Sequence, residues 1–309
     1  MPTPHEHFDI GEHARHFPVS SISFLAPYSG LILSVVLVIF FLIRFYILQD
    51  LLPKIYGTKY TGLDDINRRG FLNHHIAGGT KITILIVAAY PFACVAFGNS
   101  NFHTPVVKGS RVQMGDLLLV AAQMLTGMFI FELIYRVKIS PVSVLHHIGS
   151  ILVAQAAITI SIKMDPESSI EFMLCTIWGA FDIIAESLPH FAIILYRVYP
   201  TSHYFLANVF KFACITTFIG TISETVLTMY VFGTLWNRWP LSFKILTPIL
   251  HIAFSAAQFH GTRIFYGLWK RQERLLSQQQ QGKGMDLERA EVDNKKEERR
   301  SNSDSANAE

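Results

Sequence analysis

Long apolar runs alternate with short polar segments along most of the chain. A bilayer core about 30 Å thick requires roughly 20 mostly apolar residues per helix. Seven runs meet this requirement: 28–48, 79–97, 116–135, 142–162, 170–196, 206–232 and 241–268. Proline, glycine, asparagine and serine collect between the runs, as is typical of turns. The pattern therefore predicts an all-α polytopic membrane protein with about seven transmembrane helices.

The two ends of the chain have a different composition. Residues 1–27 are polar and lack the basic start, short apolar core and small-residue cleavage site of a signal peptide. We therefore expect the run 28–48 to remain as an anchor. Residues 271–309 mix both signs of charge and contain no aromatic residue, so they cannot bury enough apolar surface to offset their ordering entropy. We predict a helical start that leads into a disordered tail.

The overall composition supports the membrane prediction and excludes one class of partner. Hydrophobic residues make up 50% of the chain and charged residues only 16%, against roughly a quarter charged in a soluble domain. The formal net charge of +3 is small and the basic residues are dispersed, which excludes a nucleic-acid-binding surface. The three cysteines lie in apolar runs and define neither a disulfide framework nor a zinc site.

Lysine and arginine are unevenly distributed between the two ends of the predicted helices. The segments 49–78, 136–141 and 197–205 and the tail after 268 are together richer in these residues than the segments on the other side. Cytosolic loops carry the excess of basic residues in membrane proteins. We therefore predict a lumenal N-terminus and a cytosolic C-terminus.

Two adjacent histidines stand near the start of the fourth predicted helix. Ser140 and Pro141 form a helix start, because a capping hydroxyl precedes a proline at the first helical position. At 1.5 Å per residue, His146 and His147 lie about 8 to 9 Å into this helix. One histidine near a membrane boundary reaches water with its ring, but a pair is harder to explain in this way. The face of His147 carries small and polar residues, which suit a bundle interior.

The fifth predicted helix carries a polar stripe. Asp182, Glu186 and His190 follow one another at intervals of four residues and therefore share one face. Each ionisable residue at such a depth costs on the order of 2.5 to 3.5 kcal/mol. We expect His147, Asp182 and Glu186 to face one cavity, nearer its cytosolic end.

Two other predicted helices add polar residues to the same half of the membrane. Glu132 and Arg136 are one turn apart and can pair, and an ion pair that fixes the orientation of the helix is the simpler explanation for them. The seventh predicted helix contributes Gln258, His260 and Arg263. We expect His190 and these charged and imidazole side chains to border the cavity.

Further polar residues have simpler explanations. Asn73, His74 and His75 precede the second predicted helix, where an interfacial position is expected. Glu224 and His251 lie in the lumenal half of the sixth and seventh helices, where an interhelical hydrogen bond between them would explain both.

The motif "FELIYRVKISPVSVLHHIGSI", followed later by "AFDIIAES", resembles the TLC domain. This domain is shared by ceramide synthases, translocation-associated membrane proteins and other lipid-related membrane proteins. The resemblance covers 68–270, with one extra helix in front. It implies a six-helix bundle that encloses a polar cavity, a role in lipid metabolism and a location in the endoplasmic reticulum.

The ceramide synthase branch of this family also implies roles for individual residues. There, the paired histidines and two aspartates are implicated in the transfer of a fatty acyl group from acyl-CoA to a sphingoid amine. By match, His146 and His147 would be the catalytic pair, Asp182 the second aspartate and Glu186 the following glutamate. Gly179 stands in the place of the first aspartate. We therefore expect weak or no activity on sphingoid bases.

Two classes of function remain open at this point. The first is a non-catalytic protein that binds or senses a membrane lipid in the cavity. The second is an acyltransferase in which a neutral imidazole acts as a base or an acyl acceptor, with acyl-CoA as co-substrate and no resident cofactor. A metal-dependent hydroxylase is disfavoured by the histidine spacing, and we predict no metal site. Assembly into a homo-oligomer stays open.

Overall fold

The computed structural model describes residue 11, residues 21–162 and residues 168–306. Every regular segment of these ranges is helical. The α-helices are α1 (Ser29–Leu42), α2 (Gln49–Tyr56), α3 (Thr58–Thr61), α4 (Asp65–Phe97), α5 (Met114–Tyr135), α6 (Pro141–Ile162), α7 (Ser168–Val198), α8 (His203–Thr234) and α9 (Leu241–Ala306). A π-helical segment, Ile43–Leu48, joins α1 to α2. The predicted all-α class is confirmed. Most of the predicted polar N-terminus, 1–27, lies outside the described residues.

Six helical stretches of the described chain are long and apolar enough to cross a membrane. They are Ala26–Tyr56, Asp65–Ala96, Met114–Tyr135, Pro141–Ile162, Ser169–Val198 and His203–Thr234. Their length and composition are compatible with an integral membrane protein. The predicted seventh crossing, 241–268, lies within α9 and is not among these six.

Helix α4 begins earlier than the hydrophobic pattern predicts. The side chain of Asp64 accepts a hydrogen bond from the backbone N–H of Asn67 and caps the helix. Phe71, Leu72 and Ile76 in the polar first half are buried in the core, so packing stabilises turns that hydropathy alone assigns to a loop. The consequence is that residue 81 lies in the middle of α4 and not at its start.

Helices α4–α9 form a closed ring of neighbours. Helix α4 packs on α5 and α7, α7 packs on α8, and α8 packs on α9. Helix α6 contacts α5, α7 and α9 and completes the ring. Helix α1 lies outside the ring against α5, where Gly127 allows Val36 to approach closely: a Cβ atom at position 127 would lie 2.8 Å from Cγ1 of Val36.

Helix α9 continues far beyond its apolar part. The sequence predicts a helical start and then disorder for 271–309, whereas the described helix ends at Ala306. Glutamine, glutamate, lysine and arginine dominate this segment and have high helix propensity. A composition that cannot form a core can therefore still form a helix.

Candidate functional site

A lysine, a histidine and two carboxylates meet inside the ring, and we call Lys81, His146, Asp182 and Glu186 the cavity cluster. Nζ of Lys81 on α4 donates a hydrogen bond to the backbone carbonyl of Asp182 on α7 at 2.9 Å. The same ammonium lies 3.2 Å from Oδ2 of Asp182 and 3.6 Å from Oε2 of Glu186. The side chain of Lys81 is only 1% exposed, so these carboxylates take the place of water around its ammonium group. The cluster joins α4, α6 and α7 in the interior of the bundle.

His146 completes the cavity cluster from α6. Its Nε2 atom lies 3.6 Å from Oδ1 of Asp182, which is too long for a hydrogen bond. Both ring nitrogens are buried without a hydrogen-bond partner in the described part of the chain. The rings of Phe129 and Phe254 meet the imidazole edge to face. His146 thus has an oriented but unsatisfied imidazole beside a carboxylate, a feature that can bind or move a proton.

His147 points into a separate group, which we call the α5 cluster: Glu132, Arg136 and His147. Nε2 of His147 lies 3.7 Å from Oε2 of Glu132, and the imidazole stacks on Phe129 with ring centroids 4.6 Å apart. The guanidinium of Arg136 donates to the other oxygen of Glu132. The predicted Glu132–Arg136 pair is therefore present, with an imidazole added to it.

A cavity of about 180 Å³ lies between helices α4–α9. Its walls are mostly apolar and aromatic, with contributions from Ile84, Phe92, Leu118 and Leu125. His146 and Asp182 belong to the lining, whereas His147 and Glu186 do not. The expectation that His147 faces the cavity is corrected, because the helix turns its neighbour His146 inward.

The cavity runs along the helices away from the cavity cluster. On α4, Ile84 and Phe92 follow Lys81, and on α5, Leu118 precedes Phe129 by three turns. The lining residues Leu118 and Phe129 are about 16 Å apart along the axis of α5 at 1.5 Å per residue. His146 and Asp182 therefore border this mostly apolar cavity on the side of the cavity cluster.

The remaining residues predicted to border the cavity lie elsewhere. Glu132 and Arg136 are in the α5 cluster, and Nδ1 of His190 is 3.0 Å from Nδ1 of His74 on α4. His260 and Arg263 are exposed on the outer face of α9. The helical register explains this position, because the inward face of α9 carries Phe254, Gln258 and Thr262, and residues 260 and 263 fall on the opposite side.

The expected hydrogen bond between Glu224 and His251 is replaced by two others. Glu224 accepts a hydrogen bond from Nε2 of Gln258 at 2.7 Å, not from His251. His251 instead accepts from the indole N–H of Trp178 at 3.2 Å and contacts Thr225 at 3.1 Å. Glu224 and Gln258 both line the cavity. The interhelical bond between α8 and α9 therefore exists with a different partner.

Gly179, which stands in the place of the first aspartate of the resemblance, follows Trp178 on α7. Both line the cavity. A Cβ atom added at Gly179 would meet only Cδ2 of Leu125, at 3.6 Å, which is an ordinary contact. A larger residue would thus enter the cavity without disturbing the backbone.

Lys81 is the site residue that sequence reasoning missed. It follows "HHIAGGT" and precedes "ITILIV", so the hydrophobic pattern places it at a helix end, where lysine is unremarkable. A signal was nevertheless present, because the only charged residue between Arg69 and Lys108 falls inside an apolar segment that begins with small residues. A lone charge in such a segment requires a buried partner.

Three side chains of the cavity cluster are of residue types that commonly bind metal ions, and they lie close together. His146, Asp182 and Glu186 each offer one ligand atom, and these atoms lie within 4.8 Å of one another. The sequence predicts no metal site, and the ammonium of Lys81 already contacts both carboxylates.

Comparisons with protein-family models, curated proteins and solved structures found no match to this chain.

Proposed function

We propose that this protein binds a single-chain lipid inside the membrane, with the chain in the cavity and the polar head at His146 and Asp182. The observation that carries the proposal is the apolar cavity that ends at a buried imidazole and carboxylate. Apolar walls accept an acyl chain, and a few convergent polar groups fix its orientation. Buried polar atoms without partners supply the specificity, because a ligand that satisfies them gains free energy relative to one that does not.

The size of the cavity favours one chain over a complete diacyl lipid. Its volume of about 180 Å³ is below the roughly 300 to 1,000 Å³ of typical ligand pockets. Its length of about 16 Å along the helices suits a narrow, extended segment. A fatty acyl chain or another single-chain lipid fits these dimensions, and a bulky ring system does not.

The proposal includes the membrane arrangement that the sequence predicts. From the resemblance to the TLC domain we infer a lipid-related protein of the endoplasmic reticulum, and the ring of α4–α9 is the arrangement we assign to its six-helix bundle. We infer that 241–268 is a seventh crossing, because α9 packs along α8 and exposes large apolar residues such as Ile245 and Ile252. We infer from the basic loops described above that the cavity cluster lies nearer the cytosol than the lumen.

Inserted glycosylation sites test this orientation. Glycosylation of an acceptor site inserted into 98–113, but not of one inserted into 136–140, would support it, and the reverse would overturn it.

Acyl transfer from acyl-CoA is a second candidate, and His146 favours it. An imidazole 3.6 Å from a carboxylate, with both nitrogens open, has the components of a general base and its orienting partner. The cavity would then hold the acyl chain of the donor. His146, not His147, is the residue that touches the substrate in this alternative.

The binding proposal is tested by filling the cavity. Gly179→Leu places a branched side chain in the cavity, and Gly261→Leu is the matched control, because a Cβ atom at Gly261 meets nothing within 4 Å. Each protein is purified in mild detergent, and its retained lipids are measured by mass spectrometry. Wild type and Gly261→Leu should retain one single-chain lipid species per chain, and Gly179→Leu should lose most of it. Equal retention by all three proteins would contradict the proposal.

A turnover assay distinguishes acyl transfer from lipid binding alone. Purified wild type is incubated with labelled acyl-CoA and a panel of amine and hydroxyl lipids. A fall of about a hundredfold or more in kcat for His146→Ala, measured at saturating concentrations of both substrates, would establish acyl transfer with His146 as the catalytic group. Retained lipid without product from wild type supports binding alone.

A further inference from the structure

A lysine contacts both carboxylates of a group that could hold a metal ion. His146, Asp182 and Glu186 offer three ligand atoms within 4.8 Å of one another. Nζ of Lys81 lies 3.2 Å from Asp182 and 3.6 Å from Glu186, two of these three ligands. We propose that Lys81 is a built-in cation that fills a latent divalent-metal site formed by His146, Asp182 and Glu186.

The donor set has the chemistry of a zinc site. One imidazole and two carboxylates provide three protein ligands, and a water from the cavity can take the fourth position. Ligand atoms about 2.0 to 2.2 Å from a tetrahedral zinc lie roughly 3.4 Å apart. The observed limit of 4.8 Å therefore requires the ligand atoms to approach one another by up to about 1.4 Å, through rotation of the side chains.

His146 is available as a ligand. Neither ring nitrogen has a hydrogen-bond partner in the described residues, and both are buried. Binding a metal through this imidazole therefore breaks no existing hydrogen bond. This unpartnered ring is independent of the acidic pair, and it points to a ligand that accepts its lone pair.

Lys81 and a metal ion exclude each other. The ammonium contacts an oxygen of each carboxylate and donates to the backbone carbonyl of Asp182. A divalent ion bound to the same oxygens would lie within a few ångströms of this charge in a low-dielectric interior, where the repulsion is strong. Removal of the ammonium leaves two buried carboxylates without a cation, and a divalent ion restores the balance.

This inference does not depend on lipid binding. It assigns the native cluster a positive charge from the chain itself, which lies where it can stabilise both carboxylates without a metal ion. Lys81 is then the residue that determines whether the cluster holds an ammonium or a transition metal.

Metal retention tests the proposal on the full chain. Wild type, Lys81→Met and the double variant Lys81→Met/His146→Ala are purified in detergent, exposed to zinc and desalted, and the retained zinc is measured by elemental analysis. Lys81→Met should retain about one zinc per chain, and the double variant should lose it. Cobalt should give the visible absorption of a tetrahedral site in Lys81→Met only. Wild type should retain zinc at trace level.

A second lysine serves as the control. Lys211 is exposed, with its ammonium over the ring of Trp269, and Lys211→Met should behave like wild type. A stoichiometric zinc in wild type that is lost in His146→Ala would overturn the proposal, as would a folded Lys81→Met protein without zinc.

A second measurement tests the proposal if Lys81→Met folds poorly. Lys81→Met and Lys81→Gln are expressed with and without zinc in the medium, and the monodisperse fraction is compared. Recovery that depends on zinc supports the latent site, because the ion supplies the missing charge. Failure of both variants in both media would overturn it.

Discussion

The adjacent residues His146 and His147 belong to two clusters that share a composition but differ in their surroundings. Each cluster combines an imidazole and a cation with carboxylates, two in the cavity cluster and one in the α5 cluster, and the imidazole-to-carboxylate distances are 3.6 Å and 3.7 Å. The cation of the cavity cluster, Lys81, is 1% exposed, whereas Arg136 of the α5 cluster is 24% exposed. Only the cavity cluster borders a cavity.

The two cations are therefore stabilised in different ways. Arg136 follows the last residue of α5 and can share its charge with water. Lys81 lies inside the ring, and its charge can be balanced only by Asp182 and Glu186. The α5 cluster therefore joins α5 and α6 at one end of the bundle, while the cavity cluster is the polar group that we propose contacts the lipid head.

The largest expected effect is on stability when a cation is removed. Lys81→Met leaves two buried carboxylates without a partner and should lower the free energy of unfolding by about 3 to 5 kcal/mol. Arg136→Met should cost about 1 to 2 kcal/mol, because the buried carboxylate of Glu132 keeps the imidazole of His147 as a neighbour. Thermal unfolding in detergent measures both. Equal losses would show that the clusters do not differ in their dependence on the cation.

The two histidines should differ in ligand binding. His146→Ala removes an imidazole that lines the cavity, and the loss of one polar partner should weaken lipid binding by about 1 to 3 kcal/mol. His147→Ala should leave affinity nearly unchanged, because this ring faces Glu132 and Phe129. Titration with a fluorescent single-chain lipid compares them. A larger effect of His147→Ala would reverse the assignment of the two clusters.

Glycine substitutions separate the cavity wall from a tight helix contact. A Cβ atom at Gly220 on α8 would lie 2.4 Å from Cβ of Ala185 on α7, so Gly220→Ala should cost about 1 to 3 kcal/mol by overpacking. Gly179→Ala enters open space and should change stability by less than about 0.5 kcal/mol. Thermal unfolding of both variants is the measurement, and a loss of stability in Gly179→Ala would contradict the presence of the cavity.

The smallest effect is expected at an exposed carboxylate outside both clusters. The backbone and side-chain amides of Asn67 donate to Asp64 at 2.7 Å and 2.8 Å and lower the pKa of this carboxyl below its ordinary value. Its contribution is complete above the pKa of an unfolded aspartate and is lost as pH falls through the lower folded pKa. Asp64→Ala should therefore lower the unfolding midpoint at neutral pH and lose this effect in acid. An effect that persists below the folded pKa would exclude the carboxylate cap.

The sequence predicts the helical class and most helix positions because apolar length is a local property. The Glu132–Arg136 pair follows from the same local logic, since its members are one turn apart on one helix. The stripe of Asp182 and Glu186 was also recognisable, because intervals of four place these residues on one face.

The partners of these residues could not be read from spacing. Lys81 meets Asp182 across 101 positions, and the choice between His146 and His147 depends on the rotation of α6 within the ring. The exposed positions of His260 and Arg263 could not be predicted from spacing either, because they depend on the register of α9 against α8. Interhelical rotation depends on packing, such as the contact of Gly220 with Ala185.

The most direct test of lipid binding in this cavity is photo-crosslinking in native membranes. Cells that express the protein receive a fatty acid with a diazirine in the chain and an alkyne for capture, and the crosslinked peptides are identified by mass spectrometry. Crosslinks on the cavity wall, at Ile84, Leu118 or Cys175, that disappear in Gly179→Leu and remain in Gly261→Leu are the predicted result. Crosslinks confined to the outer surface, at residues such as Ile86 and Val226, and unchanged by Gly179→Leu would contradict lipid binding in the cavity.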